Sequence, residues 1–261
     1  MTHNDVIQQT FAQQAVHFEE QGLTLTSAEY LQWMVKSLPT QVHFRVLDVA
    51  TGTGLLARAI APFVKEVVAL DTTPEMLQTA RREIERARIS NITLQEGLAE
   101  RLPYPQNSFD LVVSRLAIHH FVNPEVQFGE MCRVCKPGHV VGTIDLLSPS
   151  QKTLIEPYNR LERMRDPSHT RALTRDELVN MIHHAGLQLC FEDTRDIEVD
   201  VERWLRMAAT PENVGEQIRK QLNDEIDGQG QTGMRPYFHE GQLKFTQTWG
   251  IFIGEKPGNS S

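Results

Sequence analysis

The stretch Val46–Gly54 (VLDVATGTG) decides the fold. With Arg45 it opens on RVLDV, a short apolar run that reads as a buried strand over Arg45–Val49. Ala50-Thr51-Gly52-Thr53-Gly54 follows, and then a helical segment, Leu55–Phe63. Glycine lets the chain turn sharply and lets a ligand approach the backbone closely. The helix start behind it offers N–H groups with no partner inside the helix. About twenty residues on, a second strand, Glu66–Leu70 (EVVAL), ends in Asp71, where a carboxylate accepts hydrogen bonds from ribose hydroxyls. Loop and acid together are a nucleoside-binding pair at the mouth of a parallel sheet. Gly52-x-Gly54-x-x-Ala57 also satisfies a dinucleotide fingerprint, so the loop alone leaves a nicotinamide cofactor open. Asp48 weighs against that reading: a carboxylate there suits a ligand carrying an ammonium group and repels a pyrophosphate.

Outward from this stretch, strands alternate with helices. Thr73 caps a helix with Pro74 at its first position, running to about Ala87. Ile92–Glu96 is a third strand and Phe109–Ser114 (FDLVVS) a fourth; Pro124 opens a helix that stops before Lys136-Pro137-Gly138; Val140–Leu146 is a fifth strand. Such alternation implies right-handed βαβ units. Upstream, Asn4–Glu20 carries a weak helical signal through Val6, Phe11, Val16 and Phe18. Thr26 and Glu29 predict a capping box for a helix through Leu31, Met34, Val35 and Leu38. Downstream come a helix over Gln151–Arg165, a second capping box at Thr174 and Glu177 for a helix ending at Gly186, and a strand within Leu187–Val199. Helices over Glu202–Ala209 and Glu212–Ile226 follow, then a last strand, Lys244–Gly254. Pro257–Ser261 reads as a loose terminus.

The chain has 261 residues, 40% apolar and 23% charged, with net charge −8. That suffices for a large core without disulfide or metal staples, and the acidic balance disfavours a general nucleic-acid binder. Cys132 and Cys135 form a C-x-x-C; two small apolar residues one turn apart on a helix is the expected reading, and no second pair supports zinc. The polar N-terminus has no signal-peptide core and no apolar run approaches a membrane span, so a cytoplasmic protein without membrane association is expected.

Several separated blocks carry a family resemblance. Val46–Gly54 resembles motif I of the class I S-adenosylmethionine (SAM)-dependent methyltransferases. Val67–Leu77 (VVALDTTPEML), Glu96–Phe121 (EGLAERLPYPQNSFDLVVSRLAIHHF) and Glu130–His139 (EMCRVCKPGH) are similar to its later segments, in order and spacing. Arg165–Leu178 and Phe245–Pro257 look like a bacterial branch related to quinone- and menaquinone-type C-methyltransferases. The resemblance implies an α/β, Rossmann-like seven-stranded sheet of order 3-2-1-4-5-7-6, strand 7 antiparallel, with helices on both faces and helical cap insertions. It implies one domain: N-terminal helices or lid over 1–40, SAM-binding core over 41–147, cap insertions with late helices and a strand over 148–241, and a final strand over 242–257. SAM is the implied cofactor. Asp48, Thr51, Gly52 and Gly54 would meet its methionine part, Asp71 the ribose, Thr72 and Met76 the adenosine, Leu98 and Ala99 the adenine, and Ser114 the amino-acid end. Ala50 stands where glycine is common, and Leu98 where many members carry an adenine-binding Asp.

Methyl transfer needs alignment and exclusion of water, and a base where the nucleophile holds a proton. His119 and His169 are the candidates for base or substrate anchor, with a structural role the competing reading for the His119-His120 pair. His183-His184 reflect helix-end electrostatics. Phe11, Tyr158, Arg165, Arg171 and Trp204 are candidate substrate-pocket residues, Phe11 and Phe18 belonging to a lid that closes over SAM or simply docks. An acceptor that is a small molecule is expected, with no metal; a homodimer is left open. The competing functions are an NAD(P)-dependent oxidoreductase and a non-catalytic SAM-binding module. A nucleic-acid or protein methyltransferase lacks an N-P-P-Y-type motif and a basic stripe.

Overall fold

A computed structural model describes residues 2–15, 18–19 and 23–258. Val16, Glu20 and the tail 259–261, named above, lie outside them.

Eight strands form one sheet: β1 (Arg45–Val49), β2 (Glu66–Asp71), β3 (Ile92–Glu96), β4 (Phe109–Arg115), β5 (Cys135–Leu147), β6 (Gln188–Asp200), β7 (Pro236–His239) and β8 (Gln242–Glu255). Their order is β3-β2-β1-β4-β5-β8-β6, with β7 paired to β8. The first five strands pair in parallel, and β8 runs antiparallel to β5 and β6. With β8 in the place of the expected seventh strand, the predicted order holds. The helices are α1 (His3–Gln14), α2 (Ala28–Ser37), α3 (Leu55–Ile60), α4 (Pro74–Arg86), α5 (Pro124–Val134), α6 (Lys152–Arg165), α7 (Arg175–His184), α8 (Val201–Met207) and α9 (Glu212–Ile226).

The sheet is covered on both faces, which is why β1 reads as a nearly continuous apolar run. Alternate side chains divide between two cores. Val46, Leu111, Val113 and Ile144 pack with α2, α3, α6 and α8, whereas Leu47, Val49, Val112 and Phe252 pack with α5 and α7. Truncating one of these side chains, as in Leu47→Ala, costs about 2–5 kcal/mol.

Local expectations need three corrections. The Thr26–Glu29 box does not form: Thr26 closes a short 3-10 turn, its hydroxyl donating to Leu23 O, and α2 begins at Ala28 without a side-chain cap. By contrast, the box at Thr174 and Glu177 forms with both reciprocal bonds. Thr73 precedes α4 but its side chain makes no capping bond; its backbone N–H instead donates to Asp71. Cys135 opens β5 rather than lying on a helix with Cys132, and both thiols are free and buried.

The strand β7 was not foreseen. It continues the edge of β8 beyond the end of β5, pairing Pro236–His239 with Gln242–Phe245. Its signal lies in Glu240-Gly241, both at positive φ (+49° and +76°), the backbone that a two-residue hairpin requires.

Candidate active site

A cavity opens at the carboxyl ends of β1, β2 and β4, where an α/β sheet reverses its strand order and binds its ligands. It holds about 1500 Å3 of empty space, part of it open to solvent. Its near end is made of backbone. Ala50, Thr51, Gly52 and Thr53 line it, with Asp71, Thr72 and Met76 from the β2–α4 junction and Leu98 and Ala99 after β3. Gly52 has φ +56°, and a Cβ built on it meets no atom within 4 Å. Its bare face is therefore a cradle shaped by backbone alone. Ala50 adopts the same left-handed conformation (φ +56°), so the methyl that replaces the usual glycine is accommodated at a steric cost of about 1–2 kcal/mol.

Asp71 ties this end together. Its Oδ2 accepts the Gly52 N–H at 2.7 Å and its Oδ1 the Thr73 N–H at 2.9 Å. A carboxylate has lone pairs for roughly four hydrogen bonds, so capacity remains toward the cavity. Burial raises the Asp71 pKa, and the bonds from Thr73 and Gly52 oppose the rise.

Asp48, Gly54 and Ser114 do not line the cavity. Asp48 is buried beneath the loop, where its Oδ2 accepts the Thr51 hydroxyl at 2.6 Å and its Oδ1 has no hydrogen-bond partner. Burial pushes its pKa up to about 7. Gly54 forms the left-handed N-cap of α3, packed against the Ala80 methyl of α4. Ser114 is fully buried with its hydroxyl unpartnered; the next residue, Arg115, reaches the cavity instead. The Arg115 Nη2 donates to Leu25 O at 2.5 Å, and burial lowers its pKa to about 10 against the pull of Asp48.

The far end is made of side chains. Glu162 and Arg165 come from α6, Trp204 and Met207 from α8, Gln247 and Trp249 from β8. Arg165 lies over the Trp204 ring, 5.0 Å from guanidinium carbon to centroid. Between the two ends stands His119, whose Nδ1 lies 2.5 Å from Asp145 Oδ1. Asp145 also accepts the Ile118 N–H at 2.7 Å and the Leu146 N–H at 2.7 Å. It is thereby fixed at the end of β5, and the His119 Nε2 is left for the cavity.

Two expected pocket residues, Tyr158 and Arg171, and the base candidate His169 lie elsewhere. Tyr158 belongs to the core, 2% exposed, with its hydroxyl against Gln247 Nε2. Arg171 pairs with Glu177 at 2.7 Å on the outside. His169 lies behind the cavity wall, 2% exposed, with its Nε2 on Asn159 Oδ1 at 2.9 Å; burial drives its pKa far down, so it stays neutral. His120 does reach the cavity, neutral for the same reason, its ring edge-on to Phe11 at 4.9 Å. A motif-based reading could not reach Asp145, Glu162, Gln247 and Trp249. For the last two a signal existed: Phe245, Gln247 and Trp249 alternate along β8 and share one face.

The helix α1 roofs the cavity with Phe11, and Phe18 stands beside it at 5.9 Å. Polar bonds hold the roof. Gln8 Nε2 donates to Thr72 O at 2.8 Å and Gln14 Nε2 to Asp166 Oδ2 at 3.3 Å. His3 Nε2 donates to His120 O at 2.8 Å. Among the described residues, no group of three metal-ligating side chains occurs and no helix is long and apolar enough to cross a membrane.

The chain matches the methyltransferase domain family over residues 47–141. It is 33% identical over 201 residues to an uncharacterized methyltransferase, YcgJ, of Bacillus subtilis, covering 76% of this chain and 79% of that protein. A demethylmenaquinone methyltransferase of Geobacillus is 31% identical over 146 residues, covering 53% of this chain and 61% of that one. The solved YcgJ structure superposes with TM-score 0.81 at 28% identity, over 89% of this chain and all of that one (100%). A putative methyltransferase from Bacillus halodurans superposes with TM-score 0.80 at 29% identity, over 88% and 100%. These likenesses set aside the nicotinamide reading that the glycine loop left open. The bare cradle at Gly52 and the carboxylate of Asp71 beside it fit a nucleoside carrying an amino-acid tail. This protein belongs to the class I SAM-dependent methyltransferases.

Proposed function

We propose that the acceptor is a small molecule held in the far end of the cavity, that SAM occupies the near end, and that His119 takes the acceptor's proton. The observation that carries this reading is the continuity of one roofed chamber from Gly52 and Asp71 to Trp204 and Trp249. A chamber closed by α1 and walled by aromatic rings suits a small body rather than a polymer.

SAM supplies a methyl already activated by a positive sulfur. The chain's own work is then to bind, align and keep water out. Gly52 and Thr51 cradle the amino-acid part, and Asp48 acts through Thr51 rather than by direct contact. Asp71 holds the ribose; Thr72, Met76, Leu98 and Ala99 surround the adenosine. His119 Nε2 would take the acceptor's proton during transfer of the methyl that bound SAM would supply. Asp145 orients the imidazole through its Nδ1 and stabilises the charge it gains, a positioning residue.

The test is release of S-adenosylhomocysteine from SAM with the full-length protein and panels of small phenols, amines, thiols and carbon acids, beside RNA, DNA and peptides. Turnover with a small acceptor, lost in His119→Ala while SAM affinity is kept, supports the reading. Turnover confined to a polymer sinks it.

A further inference from the structure

We propose that Glu162 and Arg165 form a clamp for a hydroxyl group, so that the acceptor is an apolar, ring-sized molecule carrying a neutral alcohol, enol or phenol. This rests on the reading of the far end as the acceptor chamber.

The two residues stand one turn apart on α6 and turn the same face to the cavity. Both are buried, 1% and 7% exposed, and both line the chamber. Glu162 Oε1 accepts from Gln247 Nε2 at 2.9 Å. The Gln247 amide is itself fixed, donating also to the Tyr158 hydroxyl at 3.1 Å and accepting from Trp249 Nε1 at 2.7 Å. Glu162 Oε2, however, has no hydrogen-bond partner, and neither has Arg165 Nε. The two atoms face one another at 3.6 Å, beyond hydrogen-bond length. The guanidinium is held where it is by the Trp204 ring beneath it and by Asp166 Oδ2 at 3.4 Å.

A buried donor or acceptor left unmet carries the full cost of its lost hydration. Here one of each stands side by side in a cavity wall, while Glu162 Oε1 and the Arg165 Nη2 beside them are engaged. A single oxygen at hydrogen-bond distance from both satisfies both, donating its proton to Glu162 Oε2 and accepting from Arg165 Nε–H. A hydroxyl is that group. A carboxylate or phosphate only accepts, and would confront Glu162 and Asp166. An ammonium only donates, and would leave Arg165 Nε facing a cation. Trp204, Trp249, Leu146 and Met207 around the pair supply the surface for an apolar body.

The test uses the full-length protein saturated with S-adenosylhomocysteine and four probes of one shape: para-ethylphenol, ethylbenzene, para-ethylbenzoate and para-ethylbenzylammonium. Calorimetric titration is expected to rank the phenol at least tenfold tighter than the other three. In Glu162→Gln the free oxygen becomes an NH2 beside the Arg165 donor. The phenol should then lose about tenfold while the benzoate gains, an inversion that a merely structural role does not produce. In Arg165→Lys the phenol should fall to the level of ethylbenzene, with ethylbenzene itself unchanged. Equal binding of phenol and ethylbenzene, or parallel losses for all four probes in Glu162→Gln, overturns the clamp. Failure of S-adenosylhomocysteine to bind the wild type would instead overturn the underlying reading of the cavity.

Discussion

The two ends of the chamber are built by different means. At the near end the working surface is backbone: the loop Ala50–Thr53 with a left-handed glycine at 52, and one carboxylate, Asp71, bonded to the loop it serves. Its residues fall within short reach along the chain, from Asp48 to Met76 and again at Leu98–Ala99. At the far end the surface is side chain. Glu162 meets Gln247 from 85 positions away, and no fixed spacing joins the two. Backbone recognition constrains residue type and spacing and so leaves a trace in the sequence. Convergence of side chains constrains only where the chain returns in space.

The comparison makes His119, between the ends, the most sensitive place to break it. His119→Ala is expected to lower kcat by about 10²–10⁴-fold with the SAM dissociation constant unchanged, measured by turnover beside calorimetry. Equal losses in both would mean that the histidine builds the near end rather than serving the reaction. Next comes Asp71→Ala, which removes a buried carboxylate and the two N–H bonds it accepts. With charged hydrogen bonds contributing about 1.5–3 kcal/mol each, SAM should bind roughly a hundredfold more weakly. Apolar probes of the far end should still bind as in the wild type, and a loss there as well would show the two ends are one cooperative unit.

Asp48 sharpens the comparison through pH. Its carboxyl is pushed up to about 7 by burial, above an unfolded value of about 4. Between these values the folded chain holds a proton that the unfolded chain has released. The stabilisation linked to that proton is therefore complete below about pH 4 and is lost as pH rises toward 7. Asp48→Asn abolishes the loss. Its melting temperature should match the wild type near pH 4 and exceed it by about 5 °C at pH 8, read by thermal unfolding without ligand. A wild-type curve parallel to the variant's at every pH would show that Asp48 is ionised throughout. The smallest effect belongs to neither end. Burial pushes Cys132 and Cys135 up to about 12, which leaves them as unreactive thiols. A thiol reagent should label exposed Cys190 quickly and the other two only on unfolding. The double change Cys132→Ala, Cys135→Ala should leave turnover intact at a cost of about 1–3 kcal/mol in stability.

Legibility followed the same division. The sheet order, the strand–loop–helix at Val46–Gly54 and the capping box at Thr174 could be read because each rests on local spacing. The box at Thr26 had the right letters, but the chain there enters a 3-10 turn whose bond from the Thr26 hydroxyl to Leu23 competes with the cap. The short strand β7 has only four residues, too few to show a period. Tyr158 and His169 carried chemistry in their side chains and proximity in sequence, yet their helix and loop turn them into the core. Asp145 looked like an ordinary strand end until the fold set it against His119.

The roof over the chamber also ties its two ends together. The bonds of α1 run to Thr72 at the near end and to Asp166 and the His120 carbonyl beyond it. One lift of this helix would break all three bonds and open both ends of the chamber together. Entry and exit through that route then share a single barrier, and the protein resembles an airlock with one hatch. A chamber opened only there would hold or release both occupants together.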